Sequence, residues 1–259
     1  MQTSDFTNSA VRYLSLSPTL ENYKTAAIFL QYWQTLLRSL ALNIPLCLLE
    51  IVSCMLVAYG FARFKFKGNG ILFGCVIMTL LIPSSIYFTP FYLSLQDYGP
   101  FHWNLLGTPL PLFLMSVCAL GVKNGLVIYI LRQHFKAYPK ELEEAAEIDG
   151  AGSFRVFVSI MLPGAMSIAA TCFLFIFVFR WTDPTHTNIF LPDTEFIWTR
   201  LSNIQTDMSL LPGVEQSDFY FRSILKNTSI VLYAIPLVVL FIFTKRSLVE
   251  SVETSGLVG

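Results

Sequence analysis

Hydrophobic positions in this chain gather into long blocks and do not alternate with polar ones. The first block is Ser39 to Phe61, SLALNIPLCLLEIVSCMLVAYGF, and its only charge is Glu50. A second runs from Ile71 to Phe91 and carries Pro83 and Pro90 in its latter half. The third, Leu110 to Leu131, is interrupted by Lys123, Asn124 and Gly125. The fourth, Gly164 to Phe179, is short, and the last, Ser229 to Thr244, contains Pro236. A helix needs roughly 20 apolar residues to cross the hydrocarbon core of a bilayer. The blocks therefore predict an all-α, polytopic transmembrane helical bundle with five spans. Lipid cannot satisfy a freed backbone group, so the proline-bearing end of the second span is expected to lie in protein or face a wet cavity.

Composition agrees with that reading. Of 259 residues, 54% are hydrophobic and 13% are charged, against about 25% charged in an ordinary soluble domain. Lys plus Arg and Asp plus Glu both total 17, so no net field points to nucleic acid. The charges do set an orientation. Arg63, Lys65 and Lys67 follow the first block; Arg132, Lys136, Lys140 and Arg155 follow the third; Lys245 and Arg246 follow the last. Between the second and third blocks the only charge is Asp97. The positive-inside bias puts residues 62–70 and 132–163 and the C-terminus in the cytoplasm. The N-terminus and the loop from Arg180 to Lys226 then lie outside, and that loop is expected to carry short helices. Met1 to Leu36 has no basic start followed by an apolar stretch, so no cleavable leader is expected. Without repeats or flexible linkers, residues 1–259 read as a single domain in a lipid membrane.

Several chemistries find no support. Cys47, Cys54, Cys75, Cys118 and Cys172 form no CxxC pair and read as free buried thiols. His102, His134 and His186 are scattered without ligand spacing, so no metal site is expected. No Gly-rich phosphate loop, Ser–His pair or paired carboxylates occur. The chain is therefore read as a non-enzyme with no catalytic residues and no cofactor.

Residues 132–163, RQHFKAYPKELEEAAEIDGAGSFRVFVSIMLP, are the informative link. Pro139 is placed to open a helix, and ELEEAAEID brings strong helix formers with acids in the first turns, where the helix dipole favours them. Gly150 permits a sharp turn. AGSFRVFVSI follows as a second amphipathic helix with Phe154, Phe157 and Ile160 at core-like spacing, and Leu162-Pro163 ends it. Ala145 and Ala146 leave a low surface that another protein can approach, and Glu144 and Asp149 offer ion pairs to a partner's basic residues. Such a helix suits a groove on a second protein.

Here the sequence resembles a known family. Glu144-Ala145-Ala146, three residues, Gly150, nine residues, Ile160, one residue, then Leu162-Pro163 is similar to the EAA signature of binding-protein-dependent ABC permeases at every defining position. Ala58 to Gly68, AYGFARFKFKG, resembles a segment of the carbohydrate-uptake branch, as does the link itself, in particular the maltose-type second permease. The resemblance covers roughly residues 20–259. It implies the type I importer permease fold and an ATP-driven importer of a sugar or oligosaccharide in a bacterial or archaeal cell (inner) membrane. It also implies a coupling helix in 132–163 docking on cytoplasmic ABC ATPase subunits, a second homologous permease, and an extracytoplasmic solute-binding protein. ATP hydrolysis then belongs to another chain. Three departures stand out: the family's usual first helix is missing, its Asn-Ser is Arg38-Ser39, and its Trp-Asn-Asp is Trp181-Thr182-Asp183. The tail ESVETSGLVG keeps glycines but lacks a penultimate lysine. Rival readings are a permease of the same superfamily for amino acids, peptides or phosphate, and a membrane-embedded enzyme.

Glu50 and Lys123 both fall near the middle of their expected spans. A charge at a helix centre costs about 2.5–3.5 kcal/mol on insertion scales, so such residues face a partner or water. Together with Pro90 and Asn124 they are candidates for the translocation path. A structural ion pair is the other reading, and the opposite charges of Glu50 and Lys123 predict that the two approach each other or share a polar cavity.

Overall fold

The computed structural model describes residues 19–97, 99, 104–121, 123–209 and 219–256, and among them every regular element is a helix. Expectations for residues 1–18, for His102 and for the end of the tail lie outside the described residues. Contacts sort the chain into two units, Met1–Leu42 with Asp193–Val239, and Asn43–Pro192 with Leu240–Gly259.

The first unit begins with α1 (Glu21–Leu30). Gln31 turns left-handed with φ 46°, and its N–H donates to Ala27 and Ile28, so the chain changes direction before α2 (Tyr32–Arg63). The buried face of α2 runs through Ser39, Asn43, Leu46, Cys47, Glu50 and Cys54, the three- and four-residue spacing of one helix stripe. Its exposed face carries Ile44, Leu48, Val52 and Leu56 instead. Small and polar groups inside with branched apolar groups outside is the pattern of a helix solvated by lipid.

The start of α2 and the segment before α11 (Ile197–Ser209) are stitched together by Arg38, which departs from the family's Asn-Ser, and by Ser39, which keeps its serine. Ser39 Oγ accepts the Ile197 N–H at 3.1 Å, and Arg38 donates to the Glu195 carbonyl at 3.3 Å. Against α11 packs α1, in which Ala26 and Leu30 are fully buried. The Tyr32 hydroxyl donates to the Leu232 carbonyl within α12 (Phe219–Gly256) at 3.2 Å.

In the second unit the two middle blocks are each divided between short helices, so neither is a continuous span. The block at 71–91 becomes α3 (Asn69–Met78) and α4 (Ser84–Gln96), separated by turns and by Pro83, whose extended ψ of 136° cannot continue a helix. The block at 110–131 becomes α5 (Leu110–Val117) and α6 (Asn124–Ala137). Leu120 N–H reaches back to Met115 and Ala119 N–H to Ser116, with Ala119 at φ 55°, which is a Schellman closure of α5. Lys123, also left-handed at φ 57°, then starts α6.

Beyond α6 come α7 (Glu141–Ile148), α8 (Ser153–Val156), a π turn (Phe157–Met161), one further turn (Leu162–Gly164) and α9 (Met166–Thr182). The segment from Arg180 to Lys226 carries α10 (Thr185–Phe190) and α11, the helices expected in it. The second helix of the link runs to Gly164, one residue past Leu162-Pro163, so that pair marks its end as expected. Proline lacks an N–H and crowds the carbonyl four residues back, and the wider π turn just before Pro163 lets the chain continue helically through it. The axis then bends by 78° into α9.

Among the described residues two helices, Tyr32–Arg63 and Tyr220–Glu250, are long and apolar enough to cross a membrane; counting the bent pair Ser153–Gly164 and Met166–Thr182 as one broken span makes three.

Candidate functional site

The link between α6 and α9 forms a closed excursion from the second unit. Tyr138 precedes Pro139 and is extended at ψ 136°, as the proline ring demands, so α6 stops at Ala137. The Tyr138 ring then lies so close to Gly164 that a Cβ there would collide with it, which brings the start and end of the link together. Between them, α7 carries Glu141, Glu143 and Glu144 in its first turn, where the exposed N–H groups favour negative charge.

Gly150 closes α7. Its φ is +82°, the Ala151 N–H donates to Ala146 and the Gly150 N–H to Glu147. That bond pair is a Schellman motif with Gly150 at the left-handed position, where any other L-residue except asparagine or aspartate is strained. Glu144, Ala145, Asp149 and Gly150 are exposed, and Ala146 is half-buried. The apolar residues nearby are exposed too: Ile148 at 86%, Phe154 at 74% and Leu142 at 47%. Phe154 therefore does not belong to the core face expected for it. The residues that pack inward are Val156, Phe157, the middle member of the expected set, and Met161; Ile160 and Leu162 are half-buried and Pro163 is exposed.

One side chain fastens this excursion to the long helix. Arg63, the last residue of α2, places Nε 2.6 Å from Glu143 Oε1 and donates from Nη2 to the Tyr138 carbonyl at 2.7 Å. Burial pushes the Glu143 carboxyl up from its ordinary range, and the Arg63 guanidinium pulls it back. Sequence reasoning used Arg63 only to orient the chain. Its partners lie 75 or more residues further along the chain, and no local pattern around Arg63 signalled the contact.

A second cluster sits deeper in the same unit. Glu50 is fully buried, yet its partner is Arg180 and not Lys123. Arg180 Nε donates to Glu50 Oε2 at 2.6 Å, and Arg180 Nη2 donates to Ser116 Oγ at 2.7 Å. Gly121 lies against the Glu50 carboxylate, where a Cβ would overlap it, and buried Asn124 adds its side chain to the same surroundings. Lys123 is exposed and its Nζ stands 4.7 Å from the centre of the Phe179 ring, a cation–π contact. Pro90 is exposed within α4. The pairing failed because block four was ended at Phe179, which left Arg180 in the outer loop, whereas α9 runs on to Thr182.

The family pattern expected from the link holds across most of the chain. The description "binding-protein-dependent transport system inner membrane component" matches residues 54–248. The chain belongs to that family. Among its relatives, a probable ABC transporter permease of Pyrococcus horikoshii is 28% identical over 93% of this chain and 80% of its own length. The maltodextrin transport system permease protein MdxG of Bacillus subtilis is 25% identical over 97% of this chain and 86% of its own. A solved bacterial ABC transporter involved in import of the acidic polysaccharide alginate shares the fold, with a TM-score of 0.66, 18% identity and coverage of 94% of this chain and 84% of that one. This permease is thus a helical membrane component of a transport system, and its family is defined by dependence on a binding protein.

Proposed function

We propose that this permease is one half of the translocation path of an ATP-driven importer for a sugar or oligosaccharide, and that α7 docks on a cytoplasmic ATPase. The observation that carries the coupling reading is the exposed apolar set Leu142 and Ile148 on α7 and Phe154 on α8, in a link tethered by Arg63 to the end of α2. Apolar groups on a cytoplasmic link have no lipid to cover them, so a protein groove is the natural cover. The maltodextrin relative supports the substrate class. The rest of the reading follows the family: a single permease domain with five crossings, some broken, a cytoplasmic C-terminus, a cell-membrane location, a second homologous permease and an external solute-binding protein. Glu144, Ala145, Ala146, Asp149 and Gly150 form the docking surface, and Ile160, Leu162 and Pro163 carry its motion into α9. Along the path, Lys123 and Pro90 present open faces, while Glu50 and Asn124 hold the wall.

Motion of the ATPases would move α7 through this contact, and coupling requires that the contact differ between the two states of the transporter. The test is reconstitution with the ATPase, the second permease and the binding protein in vesicles. Glu144→Lys and Ile148→Asp should abolish sugar-stimulated ATP hydrolysis while the chain still inserts. Wild-type stimulation in both variants would defeat the coupling assignment, and stimulation by amino acids or phosphate but not by sugars would defeat the substrate class.

A further inference from the structure

We propose that a basic cavity between the end of α2, the start of α3 and the end of α6 binds the phosphate of an anionic phospholipid headgroup. The cavity holds about 540 Å³ and is lined by four cations, Lys65, Lys67, Arg132 and Lys136, with no carboxylate among its lining residues. Phe64 and Phe66 form apolar walls and are themselves about half-exposed. Asn69, the first residue of α3, completes the lining. That ten-residue helix has no side-chain cap on its N-terminus, so its dipole adds positive potential to the cations.

Arg132 is preset for this role. Its guanidinium lies 3.9 Å from the centre of the Phe73 ring, and its Nε donates to the Phe61 carbonyl at 3.2 Å. The ring and the carbonyl fix the plane of the group, so a phosphate meets an ordered fork of donors. The three lysines around it are exposed and supply mobile point charges.

Its place in the chain argues for lipid over free phosphate. The cavity opens where a spanning helix ends, and Ile71 and Leu72 beside it are exposed apolar residues able to meet acyl chains. Basic pockets at the cytoplasmic ends of spanning helices suit anionic headgroups, because that leaflet is negatively charged. None of these residues belongs to the docking helix, so the site is separate from the coupling surface.

The inference rests on the cytoplasmic placement of residues 62–70, which is measured separately. A Lys67→Cys variant, with Cys75 and Cys118 replaced by Ser, should be protected from a membrane-impermeant thiol reagent added to the outside. Native mass spectrometry of the assembled transporter, taken from nanodiscs of mixed phosphatidylglycerol and phosphatidylcholine, then reads the lipid retained. One phosphatidylglycerol in excess over phosphatidylcholine is expected. Lys65→Gln, Lys67→Gln and Lys136→Gln should each lower its retention about fivefold, the equivalent of about 1 kcal/mol per cation. The triple Lys→Arg variant keeps the charge and should keep the lipid, which separates charge from folding. Equal retention of both lipids, or unchanged retention in the Gln variants, overturns the proposal. So does inorganic phosphate binding tightly with no lipid retained, since that assigns the pocket to a free anion. Loss of ATPase association in the Gln variants with lipid retention intact assigns it instead to an acidic partner surface.

Discussion

Among the described residues of the second unit, the arginine–glutamate contacts Arg180–Glu50 and Arg63–Glu143 have equal length, 2.6 Å, in unequal surroundings. At Arg180 and Glu50 neither side chain reaches water to any extent, and the carboxylate is fully buried. At Arg63 and Glu143 the guanidinium is equally covered, but the carboxylate is 13% exposed. The Glu143 side chain keeps a narrow opening to its surroundings that Glu50 lacks, although the contacting atoms of both pairs are covered. The buried pair joins α2 to α9 and, through Ser116, to α5. It behaves as a fixed staple inside the helices. The less deeply buried pair joins α2 to the link, which the proposed coupling requires to move. Chemistry is shared; the depth of the carboxylate and the elements joined distinguish the staple from the joint.

The strongest way to break this comparison is to remove one partner of each pair. Glu50→Gln or Arg180→Gln strands a buried charge, which costs about 3–5 kcal/mol, while the double change should cost clearly less. Thermal unfolding and the yield of assembled protein read the cycle. Additive losses would mean that the two groups do not stabilise each other. Arg63→Gln forfeits a charged contact to Glu143 and one to the Tyr138 carbonyl, each in the range of about 1.5–3 kcal/mol when buried and less near water. Glu143→Gln should cost less than Arg63→Gln, since burial already opposes the Glu143 charge. Both should lower the ratio of transport to ATP hydrolysis more than they lower stability. A purely stabilising contact would lower assembly and leave that ratio alone.

A gentler perturbation acts on the joint alone. Gly150→Ala places a Cβ at φ +82°, which costs roughly 1–2 kcal/mol in the left-handed region, whereas Gly150→Asn should cost less because asparagine visits that region. Nothing lies within 4 Å of the added Cβ, so the cost is conformational and confined to the link. ATPase co-purification should fall for Ala and largely recover for Asn. Equal loss in both would show that the surface and not the turn is at fault.

How far these features were legible in sequence follows from the range of the interactions. Gly150, the acidic first turn of α7 and the break before Pro139 are set by neighbours a few residues away, and the structure shows all three. The apolar blocks correctly marked α2, α9 and α12 as apolar helices. The polar interruption at Lys123–Gly125 and Pro83 marked where the middle blocks break, but the apolar run Cys118–Leu120 gave no sign that α5 already ends at Val117 with Ala119 left-handed. Nor did hydropathy show that Glu50 belongs to Arg180, 130 residues away. A buried charge announces that it needs a partner but not which one, and an Arg placed next to an apolar run looks like the end of the run. Phe154 shows the same limit: its spacing to Phe157 put both on one inward face, yet Phe157 is buried and Phe154 is exposed.

The smallest expected effect extends the buried side of the comparison to its neighbour His186. That histidine is buried in α10, and its imidazole is pushed down to about 4. Burial is the largest cause; Asp183 pulls the value back up, and Arg180 pushes it down again. An unfolded histidine titrates near ~6.5. Below about 6.5 the unfolded chain therefore binds a proton that the folded chain refuses until about pH 4. Stability from this site is full above the unfolded value and falls as pH drops toward the folded one, by about 1.4 kcal/mol for each unit crossed. His186→Gln should flatten that slope between about pH 6.5 and 4. In the Glu50→Gln, Arg180→Gln double variant no carboxylate is stranded, and the loss of the guanidinium should move the imidazole midpoint upward, as followed by NMR titration. An unmoved midpoint would mean that burial alone holds His186 neutral, and that the Arg180 staple acts only on the groups it touches.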